Sequence, residues 1–260
     1  MKLESALKHF SPQGLRISDN VNSTSPERLT GTDIKAALGT TCCRVRFGLA
    51  AFFGKAGVSE NDERSAIKAL TRYAMEIAPK NVRKAAGGEF GWCMNIMADY
   101  AFAEYSRSAS TCVVCSNCSG SGITSHCEEV IKHPGIINAV GVEIIPPKIK
   151  CERVEKLCLI CKGKGKIQAR CRCGGKGEIL DRAASEENGK PIFKQCGRCS
   201  GRGFSSVSSA TIHRVIIKRL PELHQSSWSR NWKPFYEQLV DVCKNEERRA
   251  AVEFERITKL

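Results

Sequence analysis

Apolar residues recur at helical spacing in several separate parts of the chain. Between Ser59 and Pro79 they fall three or four residues apart, which predicts an amphipathic helix with Ser59 as its N-cap. A second helix is predicted over about 89–107, and helical patterns also cover 32–54, interrupted at Gly39, and 208–257. The predicted apolar face of the first helix consists of Ile67, Leu70, Tyr73, Ala74 and Ile77.

Cysteine-glycine motifs replace helical periodicity between residues 112 and 204. Of 15 cysteines, nine lie at 112–173 and two more are Cys196 and Cys199. Three segments, which we call knuckles, follow the pattern C-x-x-C-x-G-x-G: Cys115–Gly122, Cys158–Gly165 and Cys196–Gly203. A fourth knuckle, Cys171–Gly177, is altered, because Arg170 occupies the slot expected for its first cysteine. The short alternating runs between knuckles predict small β-hairpins.

The chemistry of these motifs indicates structural metal. No run of apolar residues is long enough to span a membrane and no secretory signal is evident, so a cytoplasmic location is expected, where thiols stay reduced. Two thiolates separated by two residues can reach one Zn²⁺ at about 2.3 Å, and two such pairs complete a tetrahedron. Four pairs therefore predict two zinc ions. The alternative ligands are Cys112, Cys127, Cys151, His126 and His133.

Four knuckles can form two sites in three ways. The shortest separation is nine residues, between Cys161 and Cys171, and closing a short loop costs the least entropy. This argument favours a nested arrangement, in which the inner site is weaker and more dispensable. The inner ligands are then Cys158, Cys161, Cys171 and Cys173, and the outer ligands are Cys115, Cys118, Cys196 and Cys199.

The net charge of +14 indicates a polyanionic partner. Residues 208–234 contain two short helical patterns separated by a turn, which fits a helix-turn-helix that binds DNA. The expected DNA-contacting residues are Arg214, Lys218, Arg219, Ser227, Trp228, Arg230, Asn231 and Lys233. The expected fold is mainly α with a small β-hairpin zinc-binding insertion. Its parts are a flexible N-terminal segment (1–31), a helical domain (32–111), a zinc-binding domain (112–204) and a helix-turn-helix region with a C-terminal helix (205–260).

Several strings along the chain resemble the late-gene antitermination protein Q of lambda-type bacteriophages. They are Met1–Ser5, His9–Pro12, Leu29–Asp33, Phe47–Phe52, Cys196–Gly203, Trp228–Arg230 and Lys233–Pro234. The resemblance does not extend over about 123–195. It implies a transcription factor that binds double-stranded DNA at the phage late promoter and engages host RNA polymerase holoenzyme, including its sigma factor. The polymerase then reads through pauses and terminators.

The knuckles are also similar to the cysteine-rich region of DnaJ-type co-chaperones, which implies a zinc-dependent protein-binding module. The chain lacks the His-Pro-Asp loop of a J domain; its nearest string is His133–Gly135. No nucleophile–base pair or phosphate-binding loop is evident, so no enzymatic activity is expected.

Overall fold

The computed structural model describes residues 1–7, 29–137, 141 and 143–259. They form two compact units. The helical unit combines Met1–Arg107 with Ser206–Leu260, and the cysteine unit is Ser108–Ser205. The segments predicted as separate regions, 32–111 and 205–260, thus contribute most of one unit. About half of the chain is helical and the sheets are small and antiparallel, as expected from the sequence. No described helix is both long enough and apolar enough to cross a membrane.

The helical unit contains nine of the helices in the described residues. Two linking turns join some of them: a 3-10 turn at Gly87–Glu89 leads into α6, and a π-helical turn at Trp228–Trp232 joins α9 to α10. The helices are α1 (Leu3–Ala6), α2 (Gly31–Arg44), α3 (Arg46–Lys55), α4 (Glu60–Ile77), α5 (Lys80–Ala86), α6 (Phe90–Tyr105), α8 (Ser209–Ile216), α9 (Gln225–Ser227) and α10 (Lys233–Ile257).

Helix α4 confirms the prediction made from its sequence. The Ser59 hydroxyl accepts a hydrogen bond from the Asp62 backbone N–H at 3.2 Å, which satisfies one of the free donors of the first turn. Leu70 and Ala74 are buried, and Ile67 packs against the same core. Local capping and apolar spacing therefore determined this element.

The predicted helical stretch 32–54 is divided at a different place from the one expected. Gly39 lies inside α2, and the division between α2 and α3 falls at Val45. Helix α2 begins with a capping box, in which Thr30 and Asp33 exchange hydrogen bonds of 2.8 and 3.3 Å. A glycine inside a helix lowers its stability without ending it.

Two apolar clusters hold the helical unit together. The larger one brings α4, α6, α8 and α10 into contact, and the smaller one joins α1, α2, α3 and the end of α10. Helix α3 lies very close to α10, because a Cβ added at Gly48 would fall 2.0 Å from the carbonyl oxygen of Glu246. Glycine at this position permits the close approach.

Residues 1–7, part of the segment 1–31 that is expected to be flexible, pack against the helical unit. Leu3 and Ala6 are buried in the smaller cluster, and the Met1 amino group donates a hydrogen bond to Thr258 Oγ1 at 2.9 Å. Apolar residues three positions apart lie on one helical face, and α10 supplies the surface that covers it. Residues 8–28 lie outside the described residues.

The described residues of the cysteine unit form two-stranded antiparallel sheets and one short helix, α7 (Arg182–Asn188). The long pair β2–β5 forms an arm, whose strands pair from Ile123 with Leu157 as far as His133 with Lys148. The paired strands are β1 (Cys112–Val114) with β6 (Lys166–Gln168), β2 (Ile123–His133) with β5 (Lys148–Leu157), β3 (Ile136–Ile137) with β4 (Glu143–Ile145), and β7 (Glu178–Leu180) with β8 (Phe193–Gln195).

Candidate metal centres and basic surface

Two groups of four cysteines lie in the cysteine unit, and each could hold one metal ion. The sulfur atoms of a group all lie within 4.8 Å of one another. Sulfur–sulfur distances across the paired knuckles are 3.6 and 3.8 Å in the first group, and 3.8 and 4.0 Å in the second. A tetrahedral ion with bonds of about 2.3 Å requires ligands about 3.8 Å apart, so both groups fit one. The first group is Cys115, Cys118, Cys158 and Cys161, and the second is Cys171, Cys173, Cys196 and Cys199.

The nested pairing expected from the sequence is wrong. Each knuckle pairs with its neighbour along the chain, so the two sites follow one another; we call 112–168 the first module and 169–204 the second. The entropic preference for the nested arrangement amounts to only about 1 kcal/mol, because loop closure depends on the logarithm of loop length. The long loop of the first module is also ordered by the β2–β5 arm, and that of the second by the β7–β8 hairpin.

Glycines explain why the knuckles associate in pairs. The second glycine of each knuckle donates its N–H to the sulfur of the second cysteine at 3.3 Å, in all four copies. Its Cα also meets the partner knuckle: a Cβ added at Gly165 would lie 2.2 Å from the Gly120 carbonyl oxygen, and one at Gly203 would lie 2.2 Å from that of Gly175. A side chain at either position would force the paired knuckles apart.

The altered knuckle is a full participant in its cluster. The Cys171 sulfur lies 4.0 Å from that of Cys196 although its position in the sequence is displaced. Gly174 takes the left-handed conformation after the second cysteine, with φ of 73°, whereas Ser119 and Lys162 occupy that position in the first module. The displacement is therefore absorbed within the knuckle, and the Cys171 sulfur lies within 4.8 Å of the other three sulfurs of its group.

Hydrogen bonds and burial act on the thiols in opposite directions. The backbone N–H of Cys161 and the amide of Asn117, 3.2 Å from the sulfur, lower the pKa of Cys158 to about 6. The backbone N–H of Cys199 likewise lowers the pKa of Cys196. Burial raises the pKa of Cys161 and of Cys199 to about 11. A cation bound among the sulfurs would offset that cost and hold all four as thiolates.

The alternative ligands named from the sequence lie outside both groups. Cys112, Cys127 and Cys151 are exposed on strands, and neither group includes a histidine. His126 and His133 are exposed residues of β2.

The residues expected to contact DNA divide into exposed, half-buried and buried ones. Trp228 is 1% exposed, and its ring stacks on that of Trp232 with centroids 6.2 Å apart. The expectation that it contacts DNA is wrong, because its ring is part of the core. Its spacing with Trp232, Phe235 and Leu239 is that of a buried helical stripe, a signal available in the sequence. Arg214, Lys218, Arg219, Arg230 and Lys233 are exposed, and Ser227 and Asn231 are half-buried.

The turn between α8 and α9 is fixed by contacts of His213, which the sequence had not singled out, and of Arg219, which was expected to contact DNA. His213 Nε2 lies 3.1 Å from the Leu223 carbonyl oxygen, to which it donates, and its ring contacts Trp228. Arg219 pairs with Glu89 at 3.2 Å and lies over the Trp92 ring. Next to this turn is a cavity of about 630 Å³, lined by Lys84 and His224 among others.

Comparison with known proteins decides the family. A family model described as antitermination protein Q matches residues 23–109 and 165–251, which is more than half of the chain. The chain belongs to the antitermination protein Q family. A prophage antitermination protein Q homolog, QuuQ, of Escherichia coli K12 is 34% identical over the full length of both chains. Antitermination protein Q of Escherichia phage lambda and that of Salmonella phage P22 are each 32% identical over 95% of this chain and 94% of their own.

The Q-family model matches the cysteine group of the second module but not that of the first. Residues 110–164, which lie between the matched ranges, contain all four cysteines of the first group. The second group lies wholly inside the second matched range. The part matched to the Q-family model therefore retains one complete four-cysteine site, formed by adjacent knuckles.

Proposed function

We propose that this protein is a phage transcription antitermination factor. It binds double-stranded DNA at a late promoter, engages the host RNA polymerase holoenzyme including its sigma factor, and makes the polymerase read through pauses and terminators. The observation that carries this proposal is membership of the Q family, with relatives named as antitermination proteins that match at least 95% of the chain. Such a factor acts in the bacterial cytoplasm.

DNA binding is assigned to the surface of α8 and of the helix that begins at Gln225. Arg214 and Lys218 are exposed on and just after α8, and Arg230 and Lys233 are exposed where the π-helical turn enters α10. Arginine and lysine contact phosphates, and arginine also contacts the edge of guanine in the major groove. The buried Trp228 forms the support under this surface, which supports a helix-turn-helix role for the region.

The two four-cysteine groups are proposed to bind Zn²⁺ as structural sites. Four thiolates in a closed tetrahedron are typical of structural zinc and leave no position open for substrate. Together with the family, this favours a non-enzymatic factor over the co-chaperone alternative, whose J-domain motif is not evident in the sequence. Zinc would stabilise the modules and the surfaces that they carry.

Transcription with purified components tests the function. Host RNA polymerase holoenzyme would transcribe a template with the parent phage's late promoter and a downstream terminator, with and without the protein. We expect readthrough only when the protein is present, and only on templates that retain the promoter-proximal binding element. Equal termination with and without the protein would refute the proposal.

The DNA surface has its own test. Arg230→Ala should weaken specific DNA binding by about 1–3 kcal/mol, because a contact to phosphate or base is lost. Arg248→Ala is the matched control, since Arg248 is an exposed arginine farther along α10 that donates a hydrogen bond to Asn245 on the same helix. Binding would be measured by electrophoretic shift at fixed salt, with zinc content checked. Equal losses of DNA affinity in both variants would contradict the assignment of DNA recognition to this surface.

A further inference from the structure

The two modules have the same backbone plan and different surfaces. In every knuckle, the residue that precedes the first cysteine lies against the first glycine. In the first module these residues are Val114 and Leu157, whereas in the second they are Arg170 and Gln195. Polar side chains are accepted at this position in the second module. The knuckle fold therefore does not explain the apolar residues of the first.

The same contrast holds between the cysteines of a knuckle. Leu159 and Ile160 separate Cys158 from Cys161 and are 90% and 59% exposed. The corresponding residues of the last knuckle are Gly197 and Arg198. Val114 and Leu157 are also more than half exposed. Exposed apolar side chains grouped on one small module are typical of a surface that another protein covers.

The charges around the apolar tip, which we define as the neighbouring residues Leu157, Leu159 and Ile160, indicate the chemistry of its partner. Lys162, Lys164 and Lys166 alternate with glycines beside it, and none of the three forms an ion pair with the residues that the structure describes. Double-stranded DNA offers little apolar surface for aliphatic side chains, and a second copy would place lysines against lysines. A protein surface with an apolar centre and an acidic rim would complement both the exposed apolar side chains and the lysines.

We infer that the first module docks through this apolar tip on an acidic protein surface, and, resting on the proposed function, that the surface belongs to the host RNA polymerase holoenzyme. The module lies in the stretch 110–164 that the Q-family model leaves unmatched. Its contact is thus an additional anchor, separate from the basic surface assigned to DNA. The second module has Gln195, Gly197 and Arg198 in place of Leu157, Leu159 and Ile160, and so lacks this anchor.

Site-specific crosslinking tests the contact directly. A benzophenone side chain would be placed at position 159 of the full chain, and at position 198 as the matched site in the second module. Both proteins would be added to transcription complexes of purified holoenzyme on late-promoter DNA. We expect position 159 to form an adduct with a polymerase subunit and position 198 to form none. An adduct from 159 to DNA or to a second copy would overturn the inference.

A substitution in the apolar tip tests the same contact through its effect on readthrough. The double variant Leu159→Gly, Ile160→Arg carries the residues of the last knuckle, which the same backbone plan accepts. We expect readthrough at limiting protein to fall about tenfold, the size of effect expected when a central apolar contact is removed. Two metal ions per chain and unchanged DNA binding would show that the variant is folded. Unchanged readthrough would overturn the inference.

These outcomes separate the inference from the function on which it rests. If the wild-type chain drives readthrough but position 159 forms no polymerase adduct, the inference fails and the proposed function stands. If the wild-type chain drives no readthrough, both fail. Lys164→Glu sharpens the result, because it should weaken readthrough against an acidic partner, and improved readthrough would contradict an acidic rim.

Discussion

The helical unit and the cysteine unit are stabilised by different means. Large apolar side chains such as Met97, Phe102 and Trp232 are fully or nearly fully buried in the helical unit. In the described part of the cysteine unit, the buried apolar residues are Ala169 and seven of the eight clustered cysteines. All but three of the exposed large hydrophobic residues belong to the cysteine unit. One unit therefore depends on the hydrophobic effect, and the other should depend on bound metal.

Metal removal should produce the largest effect and the sharpest contrast. Binding of structural zinc contributes about 10–16 kcal/mol in small domains, which a module without an apolar core cannot replace. With a strong chelator, amide-exchange protection should disappear from β6, β7 and β8 and persist in α4 and α6. Hydrogen-exchange mass spectrometry would measure both units in one sample. Loss of protection in α6 at the same chelator concentration would contradict the expectation that only the cysteine unit depends on bound metal.

A core substitution should produce the opposite pattern. Trp228→Ala removes a fully buried ring and should lower the free energy of unfolding of the helical unit by about 3–5 kcal/mol. Metal content should stay at two ions per chain. Arg230→Ala, two residues away on the exposed side, should change stability by less than about 0.5 kcal/mol. Urea unfolding followed by far-UV circular dichroism would compare the two variants. Similar losses in the free energy of unfolding would contradict a core role for Trp228.

A glycine substitution probes the second module alone. Gly203→Ala adds a Cβ that would lie 2.2 Å from the Gly175 carbonyl oxygen, at a φ of 78°. Backbone strain of about 1–3 kcal/mol, together with this clash, should weaken metal binding by the second group. Titration with Co²⁺, followed by its thiolate absorption, would show one site weakened and one unchanged. Gly189→Ala is the control, because its φ is also positive but its surroundings are open.

The smallest effect concerns an ion pair of the helical unit. Arg256 and Arg44 contact the Glu253 carboxylate at 2.8 and 2.6 Å and hold its pKa at about 2. The unfolded chain binds this proton near pH 4.3, so the contribution to stability is present above that pH and is lost as pH falls toward about 2. Glu253→Gln should flatten the stability profile in that range. An unchanged profile in acid unfolding experiments would show that these exposed pairs contribute nothing measurable.

Features set by neighbouring residues were predictable from the sequence. The Ser59 cap and the apolar spacing of α4 act within a few turns of one helix. The chemistry of a knuckle is equally local, because two cysteines and two glycines determine the turn and the candidate metal ligands. The helices, which make up about half of the chain, and the small antiparallel hairpins followed from these patterns.

Features set by residues far apart in the chain were not predictable from the sequence. The pairing of knuckles depends on backbone contacts between glycines, such as Gly122 with Gly163, and on an ordered arm where the entropic argument assumed flexible loops. The burial of Leu3 depends on the far end of α10, which no local pattern places beside it. Trp228 is an exception, because its helical stripe with Trp232, Phe235 and Leu239 was available in the sequence, although Trp228 was grouped with the polar residues expected to contact DNA.

The register of β1 with β6 has a consequence for how this chain can vary over time. Val114 and Lys166 are direct partners, so the first module leaves and rejoins the chain at two neighbouring points, about 5 Å apart. A genetic deletion of residues 115–165 would leave two strand ends that a tight hairpin turn can connect, with no need to reposition anything else. This part of the first module can therefore be inserted or removed as one continuous segment. Gain or loss of it in one event requires no intermediate with an incomplete four-cysteine site, because all four cysteines of the first group lie between Val114 and Lys166.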